Sequence, residues 1–147
     1  MSEQKIVSLM VGDHRKIEKL LNELEDNAKI DYETMRKSFL KFEWNLEKHL
    51  FVEEKVIFLS YNPQDIVDGY KMLPVLTKQH NVILNTLNSW RKDVRNKKII
   101  TNVSGFREFL IKHKNFEEQE VYPRLEESLD DAQKNEMVNR INEIIVK

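Results

Sequence analysis

His49-Leu50-Phe51-Val52-Glu53-Glu54 decides how this chain is read, because the sequence holds the same pattern twice. The second copy is His113-Lys114-Asn115-Phe116-Glu117-Glu118, again H-x-x-x-E-E. Both copies lie within helical periodicity, where residues four apart share a face one turn above each other. Each His therefore projects beside the first Glu that follows it. An imidazole nitrogen beside a carboxylate oxygen is a donor set suited to iron, manganese or zinc. The chain contains four histidines, and the other two, His14 and His80, each precede one copy by a similar interval. The whole sequence thus reads as two halves, each of the form H … H-x-x-x-E.

Working outward, each of these residues falls on an apolar seam. The first helix runs from a Ser2 cap to about Asp26, with the stripe Val7, Met10, His14, Ile17, Leu21 and Leu24. Gly12 inside it suggests close helix packing. Asp31 caps a second helix over about 32 to 60, with the seam Met35, Phe39, Phe42, Leu46, His49, Glu53 and Val56, ended by Asn62-Pro63. Residues 63 to 72 suggest a turn of helix and then a bend at Gly69. A third helix starting near Leu73-Pro74 reads Leu73, Leu76, His80, Ile83, Leu87, Trp90 and Val94. A fourth, after Thr101 or Ser104, reads Phe106, Leu110, His113, Glu117 and Val121, and Pro123 should kink or end it at Tyr122. Asp130-Asp131 opens a short fifth helix that buries Met137, Ile141 and Ile144-Ile145. Helices joined by short connections predict an all-α fold: an antiparallel up-down-up-down four-helix bundle with a short additional C-terminal helix.

Composition agrees with this and narrows the chemistry. At 147 residues the chain, 1–147, reads as a single domain, and three Gly with three Pro leave little material for a turn-rich β fold. Lys and Arg number 24 against 25 Asp and Glu, so no basic excess points to nucleic acid or an anionic membrane. The absence of cysteine excludes thiolate metal sites, Fe–S clusters and cysteine catalysis. Met1 to Gly12 has no apolar core of signal-peptide length, and no apolar run is long enough to span a membrane, so the expected location is cytoplasmic.

One His on an apolar face is most simply a hydrogen-bonded core residue, and one H-x-x-x-E is an ordinary helix-surface pair. The joint pattern differs. Each of four helices places its only His on the inward seam, and two of them bury a Glu one turn later. Unpartnered buried carboxylates cost several kcal/mol or more and normally protonate or hold a cation. The seams carry no compensating Arg or Lys. One metal centre accounts for His14, His49, Glu53, His80, His113 and Glu117 together. Four imidazoles and two carboxylates exceed one tetrahedral site but suit two ions about 3.5 Å apart, with both carboxylates as bridges and positions left for exogenous ligands. Ferritin-like bundles use Glu-x-x-His; here His comes first and the spacing is four.

The set H … H-x-x-x-E … H … H-x-x-x-E resembles the hemerythrin-like, HHE cation-binding domains over nearly the whole chain, from Asp13-His14 to Tyr122-Pro123. The resemblance implies a non-haem di-iron centre, two iron ions per chain held by the same six residues, with manganese or zinc as substitutes. Oxygen-carrying hemerythrins have a second His one turn away on the third helix, where this chain has Leu76 and Leu84. They also use His-x-x-x-x-Asp on the last ligand helix. The four-His, two-Glu set is more similar to proteins of iron-centre repair and nitric-oxide stress, which usually carry a Cys-containing N-terminal segment not present in this sequence. The resemblance implies a small diatomic or peroxide ligand (O2, NO or peroxide) or a response to iron. The alternatives are a di-iron oxidative enzyme, ferroxidase- or peroxidase-like, an iron donor in repair, and a metal-free helical interaction module. Glu54 and Glu118, one position off the ligand face, read as solvated, and Asp13 as a surface charge or a neighbour of the site. Trp44 and Trp90 read as packing residues. Tyr61, Tyr70 and Tyr122 read first as bundle packing, with redox-active or hydrogen-bonding phenols near the centre as the alternative.

Overall fold

The computed structural model describes residues 5–58 and 67–145, with the backbone alone over 67–73. Among the described residues every regular element is helical: α1 Lys5–Ala28, α2 Tyr32–Val52, α3 Val67–Arg95, α4 Val103–Phe116, α5 Tyr122–Ser128 and α6 Asp131–Ile145. A π-helical turn follows α2 at Glu53–Ile57, and another joins α4 to α5 at Glu117–Val121. The chain is all-α, as expected. The expected Ser2 cap and the Asn62-Pro63 stop lie outside the described residues. Asp31 does cap α2, its side chain accepting from the Thr34 N–H at 2.7 Å.

Two details of the helices differ from the sequence reading. α3 starts at Val67 and passes through both Gly69 and Pro74, rather than beginning near Leu73-Pro74. The missing proline N–H removes one bond to the preceding turn, and a helix of 29 residues absorbs that local loss. Pro123 does not end helical structure either. It sits in the first turn of α5, where its lack of an N–H is tolerated, and the change of register falls upstream in the π turn.

Apolar residues gather in two clusters. One holds Ile17 to Leu24 of α1, Met35 to Leu50 of α2, Ile83 to Trp90 of α3, and Val103 to Leu110 of α4. The other holds Ile6 and Met10 of α1, Val52 at the end of α2, Val56 and Ile57 after it, Leu76 of α3, and Val121 to Leu129, with Met137 and Ile141 of α6. α1, α2 and α3 each contribute buried residues to both clusters, and α4 contributes to the first and packs its partly buried Phe116 on the second. The four histidines lie on these helices between the two clusters, and Glu53 and Glu117 directly follow α2 and α4. α1 packs on α2, α4, α5 and α6, while α3 packs on α2 and α4. Polar ties mark the same pairs: Arg91 of α3 reaches Glu43 and Glu47 of α2, and Arg107 of α4 meets Glu25 of α1 at 2.8 Å. Such partly exposed pairs set orientation more than stability.

Three residues bear on the expected packing. Gly12 is not a close-packing glycine, since a Cβ there would meet nothing within 4 Å. Trp44 is not a packing residue either: it is 60% exposed, two residues and so roughly 200° around the helix from Phe42 and Leu46, with the Lys48 ammonium over its ring. Trp90 is buried as expected, against Phe42 and Phe106.

Glu126 of α5 closes the far cluster. Its buried carboxylate accepts from the backbone N–H of Ile6 at 2.6 Å and of Val7 at 3.1 Å, in the first turn of α1. Among the described residues these donors have no partner within their own helix, and a carboxylate there also meets the positive end of the helix dipole. Glu126→Ala should therefore lower stability by about 1–2 kcal/mol, with Glu126→Gln falling between it and the parent protein. Chemical denaturation reads this directly, and an unchanged midpoint in Glu126→Ala would rule out the tie.

Candidate metal centre

The structure brings all six sequence-predicted residues together. His14 comes from α1, His49 from α2, His80 from α3 and His113 from α4, while Glu53 and Glu117 open the two π turns. All are buried, and both glutamates are fully enclosed. Their donor atoms form two overlapping groups, His14–His49–Glu53–Glu117 and Glu53–His80–His113–Glu117, each with its atoms within 4.8 Å of one another. Both groups share both carboxylates.

The separations are those of ligands round a common centre. Glu53 Oε1 is 2.7 Å from His49 Nε2 and 3.7 Å from His80 Nε2. Glu117 Oε1 is 3.2 Å from His14 Nε2 and 3.1 Å from His113 Nε2. Neighbouring ligands on an ion with bonds of roughly 2.1 Å lie roughly 3 Å apart. The contacts are close yet poorly aligned as hydrogen bonds: Glu53 Oε1, both Glu117 carboxyl oxygens, His80 Nε2 and His113 Nε2 are buried without a hydrogen-bond partner. Buried polar atoms are rarely left so. A cation at the focus of these lone pairs supplies the missing partner, so the residues fit a metal.

The outer nitrogens fix the tautomers. Each Nδ1 faces an oxygen acceptor: Glu118 for His14 at 2.7 Å, Asp13 for His49 at 2.6 Å, Glu54 for His80 at 3.0 Å and Gln79 for His113 at 2.5 Å. Nδ1 must carry the proton in every case, so each neutral ring turns a bare Nε2 lone pair inward. His14 Nε2 and His49 Nε2 are only 3.0 Å apart. Two lone pairs at that distance repel unless a proton or a metal ion lies between them.

Electrostatics tell the same story. Burial disfavours the His49 cation, but the Glu53 and Asp13 carboxylates on its two sides outweigh this and raise its pKa to about 10. Burial likewise works against ionised Glu53, yet the charge of His49 beside it holds it well below the usual carboxylate range. Burial, together with the other imidazoles, pushes His113 down to about 3, and burial and His49 lower His14. Burial works against the His80 cation too, but Glu53 and Glu54 raise its pKa. The site thus sets a His49–Glu53 ion pair beside neutral His14 and His113.

Five further residues complete the site; the sequence offered Asp13 and Tyr122 a place near it only as alternatives and assigned Glu54, Glu118 and Gln79 none. Glu54 and Glu118 were expected to be solvated. Glu54 is 46% exposed, yet both glutamates accept from a ring Nδ1. The π turns are the reason: bonding five residues back widens the turn, so two successive glutamates both reach the centre. Asp13 is a buried partner rather than a surface charge. Tyr122 is more than a packing residue: its hydroxyl donates to Glu53 Oε2 at 3.1 Å and lies 3.5 Å from His14 Nε2. Burial and the Glu53 charge raise its pKa well above the phenol range, so it remains a donor. Gln79 gave no signal, but the doubled Glu in both copies was a visible one. Tyr61 and the Tyr70 side chain lie outside the described residues. At the carrier position on α3, Leu76 is fully buried and Leu84 partly so.

An apolar cavity adjoins the centre, lined by His14, His49 and His113 with Ile17, Leu46 and Ile83 among its other walls. Its volume is about 30 Å³, enough to admit a water-sized molecule. Glu18 and Lys114, paired at 2.6 Å and partly exposed, line it too and mark where it meets solvent.

A family model described as the hemerythrin HHE cation binding domain matches residues 5–125. No curated protein and no solved structure matches the chain. Among the described residues, no helix is long and apolar enough to cross a membrane.

The raised His49 has a measurable consequence. At pH 7 it carries a proton that a metal must displace, so uptake should release about one proton, and affinity should rise about tenfold per pH unit from neutrality towards pH 10. Isothermal calorimetry in buffers of different ionisation enthalpy measures the release. Uptake with no proton exchanged at pH 7 would contradict ligation by His49.

Proposed function

Because the chain belongs to the hemerythrin HHE cation-binding family, whose model spans residues 5–125, we propose that it is a non-haem di-iron protein that binds a small ligand such as O2, NO or peroxide, or responds to iron. The observation that carries this reading is the pair of four-residue groups sharing Glu53 and Glu117. His14 and His49 would hold one ion and His80 and His113 the other, with the two glutamates bridging. Manganese or zinc would fit the same donors. Such an ion pair supplies redox chemistry and open positions for a small ligand.

The surrounding residues suit that role. The cavity beside His14, His49 and His113 has room for a diatomic molecule, and its apolar walls favour a neutral one. Tyr122 offers a proton-bearing hydroxyl at the His14 end, while carboxylates and an amide hold the four rings in place. The proposed scaffold is an antiparallel four-helix bundle: α1 and α3 pass from the Met10–Leu76 cluster to the Ile17–Ile83 cluster, and α2 and α4 pass back. The chain is proposed to work as one domain in the cytoplasm, with no nucleic-acid or membrane partner. A di-iron oxidative enzyme, or an iron donor in repair, would use the same centre; steady turnover with peroxide or Fe(II) would mark the enzyme.

Anaerobic loading with Fe(II), elemental analysis and absorption spectra before and after O2 or NO test the proposal. Two irons per chain are expected, with NO altering the reduced spectrum. Glu53→Ala or Glu117→Ala should lose at least one ion, and His14→Ala or His80→Ala should lose less. A folded protein that retains no metal after loading would overturn the reading. Because α3 has leucines where carriers have a second histidine, the reduced protein in air should oxidise rather than cycle reversibly. Full recovery of the reduced spectrum over repeated O2 cycles would make O2 storage the function instead.

A further inference from the structure

The two halves of the centre correspond position by position. Asp13 and Gln79 each precede the first histidine of their half, and each accepts from the second, His49 or His113. Glu54 and Glu118 each cross over to the first histidine of the other half, His80 or His14. Phe58 and Tyr122 each lie five residues beyond a buried glutamate and pack on those same rings, with centroids 5.6 Å apart for Phe58 and His80 and 5.9 Å apart for Tyr122 and His14. The halves differ at two of these three correspondences. Asp13 is a carboxylate where Gln79 is an amide, and Tyr122 is a phenol where Phe58 is a plain ring.

Both differences favour the same end. His14 and His49 each donate to a carboxylate, whereas of His80 and His113 only His80 does. A ring that donates to a carboxylate is a more basic, more electron-rich ligand at its other nitrogen. Asp13 is 5% exposed, so water screens its charge little. That charge lies 2.6 Å from His49 Nδ1, where it also favours a divalent ion held at the ring's other nitrogen. Tyr122, fully buried, anchors Glu53 at this end through its hydroxyl, which the Phe58 ring cannot do at the other.

We infer that the two cation positions are inequivalent: the His14–His49 position, backed by Asp13, fills first and holds its ion more tightly, while the His80–His113 position, backed by Gln79, is the exchangeable one. Asp13 and Gln79 act as positioning residues that rank the two sites. Changes in such outer partners typically alter metal affinity by about 10- to 100-fold, which sets the size of the expected difference. The inference rests on the di-metal reading above.

Zinc, which is redox-inert, provides the test. Metal-free protein labelled with 15N at histidine is titrated with Zn(II), and the four Nε2 resonances are followed by NMR. The first equivalent should move His14 and His49, and the second His80 and His113. Exchanging the partners, Asp13→Asn together with Gln79→Glu, should reverse that order. Gln79→Glu alone, which leaves Asp13 intact, should tighten the weaker step by about 10- to 100-fold, so the inference stays testable if the double variant fails to fold. Two zinc ions entering with all four histidines moving in parallel, or an order indifferent to both variants, would overturn the ranking and leave the di-metal reading standing. No zinc bound at all would overturn both.

Discussion

Two carboxyl groups with no exposed surface, Glu53 and Glu117, lie between two apolar clusters, and the rest of the site is arranged around what they need. An isolated charge in such a place costs several kcal/mol even after relaxation. No lysine or arginine pairs with either glutamate among the described residues. The partners within reach are imidazole nitrogens and a phenol. For Glu53 the metal-free chain answers with the His49 cation and the Tyr122 hydroxyl. For Glu117 it offers poorly aligned imidazoles, leaving both oxygens without a hydrogen bond. The site is therefore under-satisfied in a specific way: it lacks positive charge at one focus more than the other.

The π turns translate this demand into backbone. In both copies the α-helix ends at the first glutamate, and the next turn closes five residues back, Phe58 N–H to the Glu53 carbonyl and Tyr122 N–H to that of Glu117. One extra residue per turn slows the rotation of side chains around the axis. Glu54 and Glu118 thereby stay near the ligand face, and the residue at position five swings back over the centre. A regular α-helix would carry Tyr122 well away from Glu117. That both halves share the device means that the sequence repeat is also a repeat of backbone geometry.

This marks where the sequence was legible and where it was not. The four long helices followed from seams of period three and four, and the six donor residues followed from their coincidence on those seams. Both readings depend only on regular α geometry. The residues missed or misassigned lie where that geometry fails, or where spacing along a single helix carries no information. Glu54, Glu118 and Tyr122 sit in or directly after π turns, and a wheel drawn at about 3.6 residues per turn turns them aside. Asp13 and Gln79 act across helices, on a histidine of another element, which no spacing within one helix reveals. Trp44 was misjudged for a simpler reason: bulk suggests burial, whereas the helix face decides it. The start of α3 was misplaced because Gly69 and Pro74 look like stops when each removes only local stability from a long helix.

A polar belt across the middle of a small protein raises the question of what keeps the chain folded before a metal arrives. The clusters on either side answer it. Each fully buried Leu, Ile, Val, Phe or Met contributes about 1.5–3 kcal/mol, and both clusters are rich in such residues, Phe39, Phe42, Leu21 and Leu24 in one, Ile6, Met10, Ile57 and Leu76 in the other. Against that, the belt's unsatisfied atoms cost on the order of 1–3 kcal/mol each. The chain thus differs from small zinc domains, where the metal supplies the folding energy itself. Here two apolar clusters carry the fold and hold the donor atoms in place in advance, so that the binding energy of the ion goes into the centre rather than into ordering the chain. The duplicated halves make the same point from the other side. A repeat that needed only a core could have filled its midline with leucine, as α3 does at Leu76 and Leu84; this one keeps buried histidine and glutamate in both copies and surrounds them with side chains that orient those rings.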